Sequence, residues 1–123
     1  MQAIADLRKA ADEFKEKYKD CKNIEFLGLQ SASQVSDLMA KAKFAVIPSE
    51  CYENNPLSVI ESLCAGTPVI GANVGGIPEL IDNNQSGLIF TSGNKQELKE
   101  AIENAFSKEW NNAEIKQKSN RKR

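Results

Sequence analysis

Two glutamates, Glu53 and Glu61, stand eight positions apart around a predicted helix start, and they are the side chains of this sequence best placed for chemistry. At about 1.5 Å of rise per residue, Glu61 would lie roughly 9 Å beyond the helix cap. A helix N-terminus attracts anions through its unpaired N–H groups and its dipole. The layout therefore suits a ligand with hydroxyls at both ends and a phosphate between them, such as a nucleotide sugar.

Plainer interpretations of the same residues stay open at this point. Helical spacing puts Glu61 at the border of an apolar arc, so we expect a half-buried carboxylate that needs a donor partner, a ligand hydroxyl or a salt bridge. Glu53 could be an acidic residue that the helix dipole favours near an N-terminus. Asn54 or Asn55 is the predicted cap, with Pro56 at the first helical position, and such a cap also leaves N–H groups for a phosphate.

A glycine pair, Gly75-Gly76, follows a predicted buried strand. The pair either lets the backbone come close to a ligand or simply makes a turn. Its surroundings lack the G-x-G-x-x-G spacing of dinucleotide-binding proteins, and no G-x-x-x-x-G-K-[ST] motif occurs anywhere in the chain. These two classes of nucleotide-binding motif are therefore excluded.

Several other kinds of chemistry are excluded by composition. The chain has no histidine and no Cys-x2-Cys pair, so we expect no zinc site. No other metal and no cofactor is expected either. Without histidine to activate it, Cys51 is expected to be a packing residue rather than a nucleophile. Three scattered cysteines are too few for a disulfide framework and fit a reducing compartment.

Length and charge set the expected domain organisation. A chain of 123 residues forms one small domain, which we place at residues 1–109. No signal peptide and no membrane-spanning apolar run is present, so a cytoplasmic location is expected. Five positive charges in the last eight residues predict a basic, disordered tail at residues 110–123. The acidic body and the absence of an aromatic platform argue against a nucleic-acid partner.

Helical and apolar extended segments alternate along the chain. The predicted helices are Ala3–Tyr18, a segment capped by Ser33, a segment from Pro56 to Gly66, a turn at Pro78–Ile81 and a segment capped by Asn94; the predicted strands are Asn23–Gly28, Phe44–Ser49, Pro68–Asn73 and Gly87–Thr91. This alternation predicts the α/β class, with a parallel sheet flanked by helices. Ligands bind at the carboxyl ends of such strands, which points to the loops Ser49–Asn55 and Asn73–Pro78.

A linked set of motifs covers about residues 20–106: Pro48-Ser49, Glu53, Pro56-Leu57, Glu61-Ser-Leu-Cys-Ala-Gly66-Thr-Pro-Val-Ile70, Gly75-Gly76-Ile-Pro-Glu79 and Gly87-Leu-Ile. The set closely resembles the group 1 family of retaining glycosyltransferases, whose Glu-x7-Glu motif lies in the C-terminal, donor-binding domain of the GT-B architecture. The resemblance implies a Rossmann-like sheet, incomplete relative to the whole of that domain. It also implies transfer of a sugar from a nucleotide diphosphate sugar to an acceptor hydroxyl, as in polysaccharide or glycolipid biosynthesis.

The resemblance further assigns roles to residues. Glu53 would be the catalytic residue and contact the donor sugar, whereas Glu61 would hold the ribose hydroxyls. The substrate-binding positions that it implies are Asn54, Asn55, Leu57, Glu61, Gly75 and Gly76. Glu79 belongs to the motif without an assigned role.

The same resemblance implies parts that this sequence does not carry. Family members have a Gly-Arg pair and a following lysine that neutralise the diphosphate, and an N-terminal acceptor domain. We therefore expect the chain alone to be inactive, and a parent enzyme to act in the cytoplasm or at the inner face of the membrane. The alternative is a non-catalytic α/β module for binding or assembly.

The strands of this chain would correspond to strands 3, 4, 5 and 6 of the family's 3-2-1-4-5-6 order. Unpaired strand edges invite pairing. Either Ile24–Leu27 pairs with Phe44–Ile47, or a partner chain fills the gap, and we favour self-association.

Overall fold

The protein is represented by a computed structural model that describes residues 12–13, 15–50 and 56–121. The chain divides into two compact units, one that ends at Gln30 and one that begins at Ser31. This division differs from the predicted boundary between residues 109 and 110.

The first unit contains helical residues 12–13 and 15–18, followed by turns and a stretch without regular secondary structure. Most of the predicted Ala3–Tyr18 helix lies outside the described residues. The predicted strand at Asn23–Gly28 is wrong, because these residues form no strand in the structure. Its apolar side chains stay exposed, with Ile24 at 41% and Leu27 at 45%. An alternating apolar pattern alone does not make a strand without a hydrogen-bonded neighbour.

The second unit consists of alternating helices and strands. In chain order they are α1 (Ala32–Lys41), β1 (Ala45–Ile47), α2 (Leu57–Cys64), β2 (Val69–Ala72), α3 (Ile77–Leu80), β3 (Gly87–Phe90), α4 (Lys95–Ser107) and α5 (Asn112–Arg121). The strands form one parallel sheet in the order β1-β2-β3. The predicted α/β class with a parallel, Rossmann-like sheet flanked by helices is confirmed.

Helices cover both faces of the sheet. On one face Val69 packs with Val59 of α2, Ile77 of α3 and Ile115 of α5. On the other face Ile70 and the neighbouring strand residues pack against α4. Alternate residues of β2 therefore enter two different clusters, which is why all four of its residues are buried.

Strand β1 is less buried than its sequence predicts. All three of its residues are half-buried, whereas the apolar run Phe44–Ser49 predicts burial on both faces. In the part of the chain that the structure describes, β1 pairs with β2 alone and forms one edge of the sheet. An edge strand lacks a second neighbour to cover it, which explains the exposure.

The N-cap of helix α1 lies two residues before its predicted position. Ser31, not Ser33, is the N-cap, and its hydroxyl accepts a hydrogen bond from the Gln34 N–H at 3.2 Å. The Gln34 side chain in turn accepts a bond from the Ser31 N–H at 2.9 Å. The pair forms a capping box, and this reciprocal bonding decides between the two serines.

The predicted apolar stripes of two helices are only partly buried. Leu38 of α1 is 45% exposed and Phe106 of α4 is 58% exposed. Phe106 makes an edge-on contact with Phe44, with ring centroids 4.9 Å apart. Helical period identifies a face, but burial depends on whether another element lies against every turn of it.

The predicted disordered tail is wrong. Asn112–Arg121 form helix α5, which packs against α2. The Asn112 amide donates to the Gly66 carbonyl at 2.8 Å, and the Ile115 side chain is only 3% exposed. Trp110 contacts both core clusters, although it falls within the predicted tail. One buried isoleucine and side-chain bonds to the end of α2 outweigh the polar composition of this segment.

Replacing Ile115 with alanine should lower the free energy of unfolding by about 2–4 kcal/mol, because it leaves a cavity in the cluster beneath α5. The measurement is urea-induced unfolding followed by circular dichroism. Gln117→Ala, on an exposed position of the same helix, is the matched control and should change little. Equal effects of the two variants would show that α5 does not contribute to the core.

Candidate functional site

The predicted site lies at the carboxyl end of the sheet. The loops that leave this end begin after Ile47, Ala72 and Phe90, the last residues of the three strands. Glu53, Asn54 and Asn55, which carry much of the predicted site, lie outside the described residues. The described part of the site consists of α2, the glycine loop after β2 and the turn after β3.

Helix α2 starts at the carboxyl end of the sheet, and its N-cap residue provides no side-chain cap. Pro56 is its N-cap and Leu57 its first residue, so the helix begins one position later than predicted. No side-chain cap bond is made at Pro56, whose ring offers no acceptor. The first N–H groups of any α-helix lack intrahelical acceptors, and those of α2 begin at Leu57, which is 60% exposed.

Glu61 lies one turn into α2 and is exposed. The expectation of a half-buried carboxylate is wrong, since the core takes up the α2 face that carries Val59 and Leu63. Among the residues that the structure describes, none donates a hydrogen bond to the Glu61 carboxylate. The sequence left open that Glu61 forms a salt bridge. Within the described part of the chain, Glu61 has no salt-bridge partner.

The glycine pair follows β2 closely and leads into α3. Gly75 has φ of 57°, a left-handed conformation that side chains other than glycine seldom adopt, and Gly76 is the N-cap of α3. The predicted placement of Gly75 and Gly76 in a loop at the end of a buried strand agrees with the structure. Glu79 is exposed on α3. Topology thus brings the glycine loop and the start of α2 to the same edge of the sheet.

A hydrogen-bonded turn after β3 completes the carboxyl edge of the sheet. Of this turn, the sequence predicts only the residue that caps α4. Asn94 is that cap, as predicted, and its side-chain oxygen accepts a bond from the Glu97 N–H at 3.0 Å. The Glu97 carboxylate accepts bonds from the Thr91 N–H at 2.9 Å and the Asn94 side-chain amide at 3.0 Å. The Asn-x-x-Glu spacing of a capping box is the signal that could have found it.

Hydrogen bonds from Thr91 lower the pKa of Glu97 below its ordinary value of 4.5. The backbone N–H of Thr91 has the larger effect and its side chain the smaller. A carboxyl group whose pKa is lowered in the folded state stabilises the fold at pH values above its ordinary pKa. This contribution to stability is lost as the pH falls through the lowered pKa. Glu97→Gln should therefore reduce the melting temperature at neutral pH and show a smaller difference in acid. Melting curves across the acidic range measure this. A difference that grows in acid would contradict the assignment.

A cavity of about 390 Å³ lies elsewhere on the second unit. Its lining includes Leu63 and Cys64 of α2, Ser86 before β3, and Trp110 and Lys118 near the C-terminus. Ser86 leads into β3, which places the cavity toward the amino ends of the strands. Its volume is that of a small-molecule pocket, but it lies away from the loops that the sequence identifies.

Metal-binding and membrane-spanning features are absent from the residues that the structure describes. No cluster of three histidine, cysteine or acidic side chains among them could hold a metal ion. Within the same residues, no helix combines the length and apolar character needed to cross a membrane. Cys21 and Cys64 are free thiols, and Cys51 lies outside the described residues.

Comparison with known proteins gives relatives that share only part of their length with this chain. An uncharacterized glycosyltransferase of Methanocaldococcus jannaschii is 35% identical over 80 residues, which are 65% of this chain and 22% of that protein. A glycogen synthase of Mycobacterium tuberculosis is 33% identical over 72 residues, 58% of this chain and 17% of the enzyme. N-acetyl-alpha-D-glucosaminyl L-malate synthase of Bacillus anthracis is 37% identical over 68 residues, 55% of this chain and 17% of the enzyme.

The matched region thus spans about a fifth of these curated relatives. A comparison with protein families extends further along the chain: the family described as "Glycosyl transferases group 1" matches residues 4–123. That match includes Glu53, Glu61 and the glycine loop, the residues that carry the resemblance. The chain therefore belongs to the group 1 glycosyl transferase family.

Proposed function

We propose that this chain is the donor-binding part of an enzyme that transfers a sugar from a nucleoside diphosphate sugar to an acceptor hydroxyl. The start of α2 carries the proposal. It combines a helix N-terminus at which Pro56 makes no side-chain cap bond with the Glu61 carboxylate one turn further on, which receives no hydrogen bond from the described residues. Exposed backbone N–H groups suit a diphosphate, and a free carboxylate suits a pair of hydroxyls.

Residue roles follow the same arrangement. Glu61 binds the ribose hydroxyls, and the backbone N–H of Leu57, with those at Asn54 and Asn55, binds the diphosphate. Gly75 and Gly76 line the cleft, because a loop without side chains lets a ligand approach the backbone closely. Glu53 contacts the donor sugar and is the catalytic residue.

Catalysis in such a site consists of positioning the donor and stabilising the leaving diphosphate. The enzyme retains the configuration of the anomeric carbon and has the GT-B architecture, as in the family that the sequence resembles. The diphosphate is held by N–H groups rather than by a metal. The family's Gly-Arg pair and following lysine, which have no counterpart in this sequence, also hold it. This chain by itself is accordingly expected to bind weakly and to be inactive, and the cytoplasmic location stays a prediction.

Titration calorimetry of the chain with UDP, GDP and ADP tests the proposal. A donor-binding chain gives a saturable heat with at least one of these nucleotides, and chelation of metal ions leaves it unchanged. The alternative function, a non-catalytic module for assembly, gives no heat with any nucleotide.

We also propose that the chain associates with itself through the open edge of β1. Pairing with Ile24–Leu27 would have needed a strand there, which the structure does not form. Backbone groups at the free edge of a short strand attract another strand. Light scattering over a range of concentrations should show a mass above that of the 13.6 kDa chain. A constant monomer mass at high concentration would contradict the proposal.

A further inference from the structure

The turn after β3 contacts the loop that leaves β1. The Ser92 hydroxyl donates a hydrogen bond to the Ser49 carbonyl oxygen at 3.1 Å. Because β2 lies between β1 and β3 in the sheet, this bond joins two loops across the carboxyl end of the middle strand. It ties together parts of the chain that are 43 residues apart in sequence.

The β3 side of this contact is fixed independently of Ser49. The Glu97 carboxylate accepts bonds from Thr91 and Asn94, the two residues that flank the turn at Ser92 and Gly93. Gly93 has φ of 80°, which lets the chain reverse between them. Ser92 therefore projects from a turn whose ends are both held by one side chain of α4.

Glu50 lies near the same turn. The position that a Cβ atom would take on Gly93 is 3.5 Å from the Glu50 carboxylate oxygen, an ordinary van der Waals distance. The turn thus bonds to Ser49 and lies close to Glu50, the last described residues before the segment that carries Glu53.

We propose that Ser92 is a positioning residue for the donor site. Its bond to Ser49 fixes the point from which the chain runs toward Glu53 and the start of α2. Without the bond, the chain after β1 would lose a restraint at Ser49, and ligand binding would have to fix the position of Ser49 and Glu50 at a cost in entropy. The inference rests on the proposed function, because it assigns Ser92 a role in binding the same nucleotide.

The experiment compares three variants by titration with UDP, GDP and ADP. Ser92→Ala removes the hydroxyl and should weaken binding of the recognised nucleotide about three- to tenfold, the range expected for one hydrogen bond. Ser92→Thr keeps the hydroxyl and should restore binding to within about twofold of the unchanged chain. Ser107→Ala deletes a similar hydroxyl-to-carbonyl bond, to Glu103 within α4, and should leave binding unchanged.

Melting temperatures of the same variants separate positioning from folding. Ser92 is only half-buried, so the alanine variant should fold, and its dissociation constant can be measured on folded protein. A merely structural role lowers the melting temperature of Ser92→Ala and leaves its dissociation constant at the unchanged chain's value. Recovery of binding by threonine is the result that such a role does not produce.

The two proposals fail in different ways. If the unchanged chain binds none of the nucleotides, the proposed function is overturned and the role of Ser92 with it. If the unchanged chain binds and Ser92→Ala binds equally well, only the role of Ser92 is overturned. Loss of binding in both Ser92→Ala and Ser92→Thr also overturns it, since the hydroxyl is then not what matters.

Discussion

Replacing Gly87 with alanine should lower the free energy of unfolding by about 3 kcal/mol or more. Gly87 is the first residue of β3 and pairs with Val69 of β2. A Cβ atom on Gly87 would overlap the Val69 carbonyl oxygen and lie 3.0 Å from a methyl of Ile81. A backbone carbonyl within a sheet cannot turn aside, so β3 must shift away from β2.

Gly71→Ala is the matched comparison, because it adds the same methyl group to the neighbouring strand. There the new Cβ would lie 2.7 Å from methyl groups of Ile77 and Ile81, which are side-chain ends that can move. We expect a smaller loss of about 1–3 kcal/mol. Urea unfolding of both variants measures the difference. A loss at Gly87 no larger than at Gly71 would show that β2 and β3 are not held in this register.

Replacing Glu61 with glutamine should weaken nucleotide binding by roughly tenfold to a hundredfold. A carboxylate that accepts bonds from two ribose hydroxyls contributes more than a neutral acceptor, because hydrogen bonds to a charged group are stronger. Glutamine keeps the size of the side chain and removes the charge. Since Glu61 is exposed and receives no bond from the described residues, the variant should fold as the unchanged chain does.

Calorimetry with the nucleotide that the unchanged chain recognises measures this effect. Glu103→Gln is the control, because Glu103 is also an exposed helix glutamate but lies on α4, outside the proposed site. Binding that is unchanged in Glu61→Gln would rule out its assignment to the ribose. A loss of the same size in both variants would point to the overall charge of the chain rather than to a contact.

Elements whose local signals are strong can be predicted from the sequence. The sequence predicts that Gly66 ends α2, and Gly66 follows the Ala65 cap with φ of 86°. It also predicts that Asn94 caps α4, which the structure confirms. A left-handed glycine and a capping side chain act within a few residues, so sequence alone contains the information that they need.

Other predictions fail where burial depends on distant parts of the chain. Asn23–Gly28 has the pattern of a strand but forms none, and Ile115 is buried in a segment whose composition predicts disorder. Glu61 has the helical position of a half-buried residue and is exposed. In each case the outcome depends on which element packs there, and helical or strand period does not specify that.

The sequence by itself determined the class of this protein and the positions of its candidate site. The motif from Glu53 to Gly76 led to the group 1 glycosyl transferase family, and the alternation of elements led to a parallel sheet with its loops at the carboxyl end. These features are carried by residue type and spacing along the chain. Confirmation of the family came from the match over residues 4–123.

Only the tertiary structure decided which residues share an environment. It joined Ser92 to Ser49 across the sheet, buried Ile115 of α5 in the core, and left the Glu61 carboxylate exposed beside the core face of α2. The physical reason is that these outcomes depend on contacts between residues far apart in the chain. Such contacts form only when the strands pair and the helices close over them, and spacing along a sequence does not record them.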